Sequence, residues 1–128
     1  MSRIKFLEKY ATNGKHYDIH KELDKALNDE HYYVRSIAAR NPNCNNEHLN
    51  KALSDTLEYV RAFSAGNPNC NKEHLNKALN DPNESVRIYA AENPNTTKEH
   101  LDKALNDKSK YVRESAKNNP NYKKYYND

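Results

Sequence analysis

The stretch His74-Leu75-Asn76-Lys77-Ala78-Leu79-Asn80-Asp81, with Ser85-Val86-Arg87 and Asn93-Pro94-Asn95 after it, is the unit that recurs through most of this chain. Its parts return every 26 residues. The motif His-Leu-Asn/Asp-Lys-Ala-Leu begins at His48, His74 and His100, Val-Arg pairs begin at Val34, Val60, Val86 and Val112, and Asn-Pro-Asn triplets begin at Asn41, Asn67, Asn93 and Asn119. A fixed period of this length is typical of a solenoid built from stacked units.

Each unit carries the signals of two short helices. In the second unit, Leu49, Ala52 and Leu53 lie at i, i+3 and i+4, which is the spacing of one apolar stripe on a helix. Val60 faces inward in the helix that follows, and Asn67-Pro68 ends that helix because proline disfavours a helical conformation in the residue before it. We therefore predict an all-α solenoid of four two-helix repeats of 26 residues, at 18–43, 44–69, 70–95 and 96–121.

The two ends of the chain are predicted to close the array. Residues 1–17 form an N-terminal capping helix in this interpretation, with Ile4, Leu7 and Ala11 on the face that covers the apolar edge of the first repeat. Residues 122–128 are rich in tyrosine. Their aromatic side chains could cover the fourth repeat as a C-terminal cap, or could form a short binding motif.

Helix-start signals fall at matching places in the repeats. Thr96, with Glu99 three residues later, has the form of a capping box, in which hydroxyl and carboxylate satisfy free backbone N–H groups. Asp18 takes that place in the first repeat, and Cys44 and Cys70, each followed by a glutamate, take it in the second and third. The second helix of each repeat is predicted to be capped by an aspartate: Asp29, Asp55, Asp81 and Asp107.

The few apolar residues recur at fixed positions, which favours a folded chain. Leu, Ile, Val and Phe make up only 20 of the 128 residues, yet the net charge is only +3. One repeat could bury about five apolar side chains at roughly 1.5–3 kcal/mol each, against an ordering cost of about 1.5 kcal/mol per residue, so no repeat should fold alone. Contacts between repeats must supply the rest, and we expect small alanines at one register to make room for tyrosines of an adjacent unit: Ala39, Ala65 and Ala91 for Tyr33, Tyr59 or Tyr89.

The charge pattern gives no sign of a polyelectrolyte partner or of a membrane span. The chain has 21 Lys and Arg against 18 Asp and Glu, with both signs interspersed through every repeat. No apolar run approaches the roughly 20 residues that cross a bilayer, and residues 1–6 lack the apolar core of a secretory signal. We therefore expect a cytoplasmic protein with no membrane partner.

The two cysteines are expected to remain free thiols. Cys44 and Cys70 occupy the same place in successive repeats. Stacked helices lie about 8–10 Å apart, which exceeds the roughly 7 Å limit for a disulfide. Free thiols are typical of a reducing compartment.

Residues 81–96, Asp-Pro-Asn-Glu-Ser-Val-Arg-Ile-Tyr-Ala-Ala-Glu-Asn-Pro-Asn-Thr, resemble the leucine-rich repeat variant family, a relative of HEAT-like repeats with an Asp, Val-Arg, Ala, Asn-Pro-Asn-Thr signature. The resemblance covers residues 18–121. It implies a right-handed superhelix of short helices, one of each pair closer to 3₁₀ than to α. Such arrays are scaffolds for many partners, so the fold implies little about function. Some relatives carry an N-terminal cysteine cluster for an iron–sulfur centre, but no cysteine precedes Cys44, and we expect no cofactor.

Two sets of residues could bind ions or phosphates. Four arginines at one register could contact the phosphates of a nucleic acid or the carboxylates of a partner: Arg35, Arg61, Arg87 and Arg113. In HEAT-like arrays this arginine pairs with the helix-capping aspartates, so the resemblance implies a structural role. The pairs Cys44/His48 and Cys70/His74 have an i, i+4 spacing that zinc can use, but four ligands would have to converge from separate helices, and we expect no metal site.

One stripe of the second helices differs from repeat to repeat. It comprises the residue two before each valine and the residues two and six after it. We predict that these side chains project away from the core. They are Tyr32, Ser36, Arg40; Glu58, Ala62, Gly66; Glu84, Ile88, Glu92; Lys110, Glu114, Asn118. Packing positions repeat because every unit solves the same problem, whereas positions released from packing can suit a ligand. The acidic middle of the stripe favours a protein surface over a phosphate backbone as partner. A solvent-exposed face without a ligand is the alternative interpretation.

The sequence contains no pattern typical of an active site. Gly14 and Gly66 are its only glycines, so it has no Gly-rich phosphate loop, and no serine lies in a nucleophile elbow. We therefore expect a non-enzymatic scaffold that binds another protein through the variable stripe. The alternatives are a nucleic-acid-binding module that uses the arginines and lysines, or, since the wealth of Asn, Lys and Tyr hints at an AT-rich genome, a phage-encoded inhibitor of a host protein.

Overall fold

The computed structural model describes residues 18–126, and within that range the chain is all-helical, without a strand. The all-α prediction is confirmed for this part of the chain. The predicted capping helix at 1–17 and the last two residues of the tail lie outside the described residues. The helices are α1 (Ile19–Leu27), α2 (Tyr32–Ala39), α3 (Asn46–Ala52), α4 (Glu58–Ala65), α5 (Lys72–Leu79), α6 (Glu84–Glu92), α7 (Lys98–Leu105), α8 (Lys110–Asn118) and α9 (Tyr122–Tyr125). Both helices of each pair are α-helical, so the expectation of a 3₁₀-like member is wrong.

The helices from α1 to α8 pack against their neighbours in two rows. Each odd-numbered helix packs against the even-numbered helix that follows it. We call α1, α3, α5 and α7 the first row, and α2, α4, α6 and α8 the second row. Within the second row each helix packs closely against the next, and more closely than the helices of the first row pack against each other. The short helix α9 contacts both α7 and α8.

The core is formed by the same register in each helix pair. The first row contributes leucines that are fully buried: Leu23, Leu49, Leu75 and Leu101. The second row contributes Val60, Val86 and Val112, which are also fully buried, as the inward-facing valine predicted. Burial of a leucine or valine stabilises the fold by roughly 1.5–3 kcal/mol. These side chains therefore form one core that is continuous from pair to pair.

The Asn-Pro-Asn triplets bond each helix pair to the one before it. The buried Nδ2 of Asn67 donates to the backbone oxygens of Ala39 at 2.8 Å and of Asn41 at 3.0 Å. Asn93 repeats both bonds 26 residues later, to Ala65 at 2.8 Å and Asn67 at 2.9 Å. Asn119 makes the equivalent bonds to Ala91 and Asn93. The triplet thus ends the second-row helix and also supplies donors to buried carbonyls of its neighbour.

The predicted packing of tyrosines against alanines is wrong. Ala39 and Ala65 are fully buried, but their backbone oxygens accept bonds from asparagines, and Tyr33 and Tyr59 are each 58% exposed. The small residue that makes room for a ring is Gly66, where a Cβ would lie 3.2 Å from Cδ1 of Tyr89. Tyr33 and Tyr59 therefore keep more than half of their surface exposed, whereas Tyr89 packs against Gly66 of the preceding pair.

The first-row helices start one residue later than the capping prediction placed them, except in α1. Asp18 caps α1 as predicted, since its carboxylate accepts the N–H of Lys21 at 3.2 Å. In the other three helices the cap is the residue after the predicted one: Asn45, Asn71 and Thr97 in place of Cys44, Cys70 and Thr96. The predicted caps point into the core, where the Cys44 thiol donates to the backbone oxygen of Ala38 at 3.1 Å.

Histidine, and not the predicted glutamate, completes each of these capping boxes. Nδ1 of His74 accepts the N–H of Asn71 at 2.9 Å, and its Nε2 lies 3.3 Å from the oxygen of Asn46 in the preceding pair. His100 has the same arrangement, with Nε2 3.2 Å from the oxygen of Lys72. These contacts require a neutral ring with the proton on Nε2. Burial lowers the pKa of both imidazoles from the ordinary value.

The predicted caps of the second row also lie outside the helices that they were expected to cap. The residues that start these helices are His31, Leu57, Asn83 and Ser109, two positions after the predicted aspartates. Each aspartate instead accepts the backbone N–H two residues on, as Asp55 does from Leu57 at 3.0 Å. This shapes the turn before the helix and leaves the rest of the carboxylate for other partners.

Replacement of one of the asparagines that bond to the preceding helix pair should destabilise the fold strongly. We expect Asn93→Ala to lower the free energy of unfolding by about 2 kcal/mol, because it removes the donor from two buried carbonyl oxygens. Equilibrium urea unfolding followed by far-UV circular dichroism measures this. Asn76→Ala, at an exposed position of α5, is the matched control and should have little effect. Equal stabilities of the two variants would contradict the role given to Asn93.

Stability should fall when the medium becomes acidic enough to protonate the capping histidines. The folded protein holds His74 and His100 neutral, so the unfolded chain binds more protons below about pH 6.5. The contribution of the two neutral histidines to the free energy of unfolding is fully present above that pH. It is lost as the pH falls toward the lowered pKa of the folded state. Urea unfolding at about pH 7 and about pH 5.5 measures the loss. The double variant His74→Gln/His100→Gln should show a smaller loss, and an unchanged one would refute the assignment.

Candidate functional site

The variable stripe predicted from the sequence is only partly on the surface. Its exposed members are Tyr32, Arg40, Glu84, Glu92, Lys110, Glu114 and Asn118, and its half-buried members are Glu58, Gly66 and Ile88. Ser36 and Ala62 are 2% and 4% exposed, so the prediction that they face away from the core is wrong. This position faces the next second-row helix, which packs closely against it. Glu114 is exposed because no second-row helix follows α8 within residues 18–126.

A row of aromatic side chains lies on the exposed side of the second row. In three of the second-row helices the residue directly before the buried valine is a tyrosine. These are Tyr33, Tyr59 and Tyr111, and they are 58%, 58% and 52% exposed. Phe63 and Tyr89 stand three residues after the valine in α4 and α6. We call these five residues the aromatic face. A tyrosine that recurs directly before a buried valine, as Tyr33, Tyr59 and Tyr111 do, is the signal in the sequence that identifies an exposed face, and the prediction of tyrosine–alanine packing missed it.

Rings and two cations contact each other along this face. Nζ of Lys110 lies 5.3 Å from the centroid of the Tyr111 ring. Tyr32 stacks on Tyr59, with ring centroids 6.3 Å apart. Phe63 and Tyr89 meet edge to face at 6.1 Å, and the guanidinium of Arg40 lies 5.2 Å from the centroid of the Phe63 ring. Such contacts hold the rings in place while they remain accessible.

Two cavities flank the Phe63–Tyr89 pair and together form what we call the α4–α6 groove. The larger has a volume of about 410 Å³, and its lining includes Arg40, Phe63, Gly66, Pro68 and Tyr89. The smaller, of about 250 Å³, has a lining that includes Glu58, Tyr59, Phe63, Ser85 and Tyr89. The groove therefore has an aromatic centre, with a carboxylate in the lining of one cavity and a guanidinium in the lining of the other.

Small residues open both cavities. Ser85 occupies the register at which the other three helix pairs carry tyrosine. Gly66 occupies the register of Arg40, Glu92 and Asn118, and a Cβ there would crowd the Tyr89 ring. Either position, if it carried the residue of its equivalents, would place side-chain atoms in the space that a ligand could use.

The arginines of the alternative nucleic-acid site are largely occupied within the protein. Nε of Arg35 donates to Asp55 at 2.8 Å, and Arg61 and Arg87 repeat the bond to the aspartate twenty residues on, Asp81 and Asp107. Each also donates from Nη1 to a backbone oxygen of its own turn at 2.9 Å. These three side chains are mostly buried, which leaves little of each guanidinium for a phosphate.

The arginine–aspartate pairs join consecutive helix pairs electrostatically. Burial of Asp107 opposes its ionisation, but hydrogen bonds from Arg87 and from the Ser109 N–H outweigh burial and hold the pKa of the carboxyl below its ordinary value. Arg113 keeps the backbone bond, from Nη1 to the oxygen of Asp107 at 2.7 Å. No carboxylate within residues 18–126 forms an ion pair with it.

The cysteines and histidines considered as zinc ligands have structural contacts instead. Cys44 and Cys70 are free thiols, as expected, and both are buried. Burial raises the pKa of each thiol to about 12, which opposes the thiolate that a metal requires. Both ring nitrogens of His48 and His74 contact protein atoms. Across the described residues, no three side chains of His, Cys, Asp or Glu are grouped so as to hold a metal ion.

Comparisons with known proteins leave the site to be interpreted from its own geometry. No protein-family model matches the chain, and a search of curated proteins returned no match. None of the helices in the described range has both the length and the apolar character needed to cross a bilayer.

Removal of one member of an arginine–aspartate pair should destabilise the fold. Arg87→Met leaves the mostly buried Asp107 carboxylate without its guanidinium, and we expect a loss of about 3 kcal/mol in the free energy of unfolding. Arg113→Met is the matched control, because it removes the same residue type at the same register where only a backbone bond is lost, and should cost about 1 kcal/mol. Urea unfolding of both variants measures the difference, and equal losses would contradict the assigned role of the pairs.

Proposed function

We propose that the chain is a right-handed α-solenoid of four 26-residue repeats, similar to leucine-rich repeat variant and HEAT-like arrays, and that it is a non-enzymatic scaffold. It binds a partner protein through the exposed side of its second row. Hydrogen bonds that recur with the sequence period support the repeat organisation, since Asn67, Asn93 and Asn119 each bond to the helix pair before them. Two buried free thiols are compatible with a cytoplasmic location.

The observation that carries the proposal is the aromatic face. Tyr33, Tyr59 and Tyr111 expose more than half of their surface from one row of helices. Tyrosine is enriched at protein interfaces because its ring buries a large apolar area while its hydroxyl retains a hydrogen-bonding partner, and it loses little conformational entropy on binding. A surface that repeats such a residue at intervals along an array offers several anchors to one partner.

The surrounding charges favour a protein partner with basic residues. Glu58 lines the smaller cavity with Phe63 and Tyr89, and Glu84 and Glu92 are exposed on α6. The Glu84 carboxylate accepts the hydroxyl of Ser109, which fixes its position in the neighbouring turn. Carboxylates at the rim of an aromatic surface accelerate association with cationic segments and disfavour polyanions. The nucleic-acid alternative is weakened further because three of its four arginines are paired with aspartates.

Selection of peptide ligands tests the assignment of the face. Wild-type protein is used as bait for a random-peptide phage-display library, and the dissociation constants of enriched peptides are measured by fluorescence polarisation. The face variant Tyr33→Ser/Tyr59→Ser/Tyr111→Ser introduces the residue that Ser85 already provides at this register. We expect it to bind the enriched peptides at least about tenfold more weakly, which is about 1.4 kcal/mol.

A first-row variant is the control for this experiment. Lys51→Ser, Lys77→Ser and Lys103→Ser together change three exposed residues on the opposite row and should leave the dissociation constants unchanged. Failure to enrich any peptide, or undiminished binding by the face variant, would overturn the proposed interface. Gel shifts of DNA and RNA at low salt should be negative, and a shift that weakens steeply with salt would favour the nucleic-acid alternative instead.

A further inference from the structure

We propose that the α4–α6 groove binds one extended segment of a partner protein, in which an apolar side chain stands between a basic residue and an acidic residue. This inference rests on the proposed function and gives the chemistry of the partner at that face. Its basis is the coincidence, in one groove, of two open cavities, an aromatic pair and two opposite charges.

The groove is specific to the two middle helix pairs. Phe63 and Tyr89 occupy one register in α4 and α6. At that register α2 and α8 carry Ile37 and Ser115, which are not aromatic. Ser85, which replaces a tyrosine of the other repeats, lies in the smaller cavity. Gly66, which replaces longer side chains, lies in the larger cavity. Three departures from the repeated sequence therefore act on the same space, and one of them, Phe63, also packs against the core.

The dimensions of the groove match a short extended peptide. The eight residues of α4, Glu58–Ala65, span about 12 Å at about 1.5 Å per residue. An extended chain rises about 3.3 Å per residue, so about four residues cross the groove. Cavities of about 250 and 410 Å³ can each accept a large side chain, and the Phe63 and Tyr89 rings between them offer an apolar wall to both.

The charges differ between the two ends of the groove. Glu58 is the first residue of α4 and lines the smaller cavity, and Glu84 is the first residue of the adjacent α6. Arg40 follows the last residue of α2, lines the larger cavity and is exposed. A lysine or arginine of the peptide is favoured near Glu58, and a carboxylate is favoured near Arg40, where the guanidinium can form a bidentate pair.

The charge arrangement excludes a uniform polyanion as the occupant. A nucleic acid strand would place successive phosphates along the groove, and those near Glu58 would be repelled. A peptide can instead change its charge within about four residues. A peptide segment of mixed charge with one large apolar residue matches the cavities, the aromatic pair and the two opposite charges of the groove.

Substitution of Ser85 gives the first test. Ser85→Tyr restores the residue found at this register in the other helix pairs, where it is solvent-exposed, so the variant should fold with an unchanged far-UV circular dichroism spectrum. The tyrosine ring should occupy the smaller cavity. We expect peptides enriched on the wild-type protein to lose at least about tenfold in affinity. Asn50→Tyr adds the same ring at an exposed position of the first-row helix α3, outside the groove, and as the matched control it should bind as the wild type does.

Charge substitutions give the second test and do not depend on a cavity. Three fluorescent peptides with the patterns Lys-Ala-Phe-Ala-Glu, Lys-Ala-Phe-Ala-Lys and Glu-Ala-Phe-Ala-Glu are titrated into each protein. The wild type should prefer the first peptide. Arg40→Glu makes both ends of the groove acidic and should prefer the second, whereas Glu58→Arg should prefer the third. Each preference should be at least about tenfold.

The results separate failure of this inference from failure of the proposed function. If library-selected peptides bind through the tyrosines but are insensitive to Ser85→Tyr and to both charge substitutions, the groove is not the site and the interface remains. If the face variant Tyr33→Ser/Tyr59→Ser/Tyr111→Ser also binds normally, the interface itself is wrong. A preference that switches with Arg40 and Glu58 as stated supports the groove.

Discussion

Within residues 18–126, each helix pair buries too few large apolar side chains to fold without its neighbours, and this shortage determines the rest of the structure. The large residues of the core are one or two leucines and one valine from each pair, with alanines between them. Conformational entropy costs more than such a small core returns. Stability must therefore come from contacts between pairs. The chain makes these contacts with polar groups as well as with apolar ones.

Three kinds of polar contact recur between consecutive helix pairs, and all three satisfy buried groups. Asparagine side chains donate to carbonyl oxygens, histidine Nε2 atoms donate to a carbonyl oxygen at the start of the preceding first-row helix, and arginines pair with aspartates. A buried polar group without a partner costs about 1–3 kcal/mol, so each of these contacts specifies one relative position of two pairs. This explains why residues of the Asn-Pro-Asn and Val-Arg motifs hardly vary from one helix pair to the next, and why Arg35, Arg61 and Arg87 offer little of their guanidinium groups to a phosphate.

The same contacts leave the exposed side of the second row largely outside the core, although the half-buried Phe63 ring packs against it. Its inner side carries the valines, and the side facing the next helix carries Ser36 and Ala62, which are small and buried. The tyrosines remain on the side that neither neighbour covers. Residues there can vary without loss of the fold, and the departures at Gly66 and Ser85 show that they do. A surface of this kind is suited to partner recognition, because changes in its chemistry do not alter the array.

The sequence by itself determined the period, the helix pair within each period and the leucines and valines that are buried, because these follow from spacing along a single helix. It did not determine that Asn45 and not Cys44 caps a helix, that Arg87 pairs with an aspartate of the following pair, or that Ser36 is buried while Tyr33 is exposed. Those outcomes depend on how closely second-row helices approach each other and on the rotation of each helix about its axis. Spacing places residues on a helix face, but only the packed neighbours decide whether that face is covered.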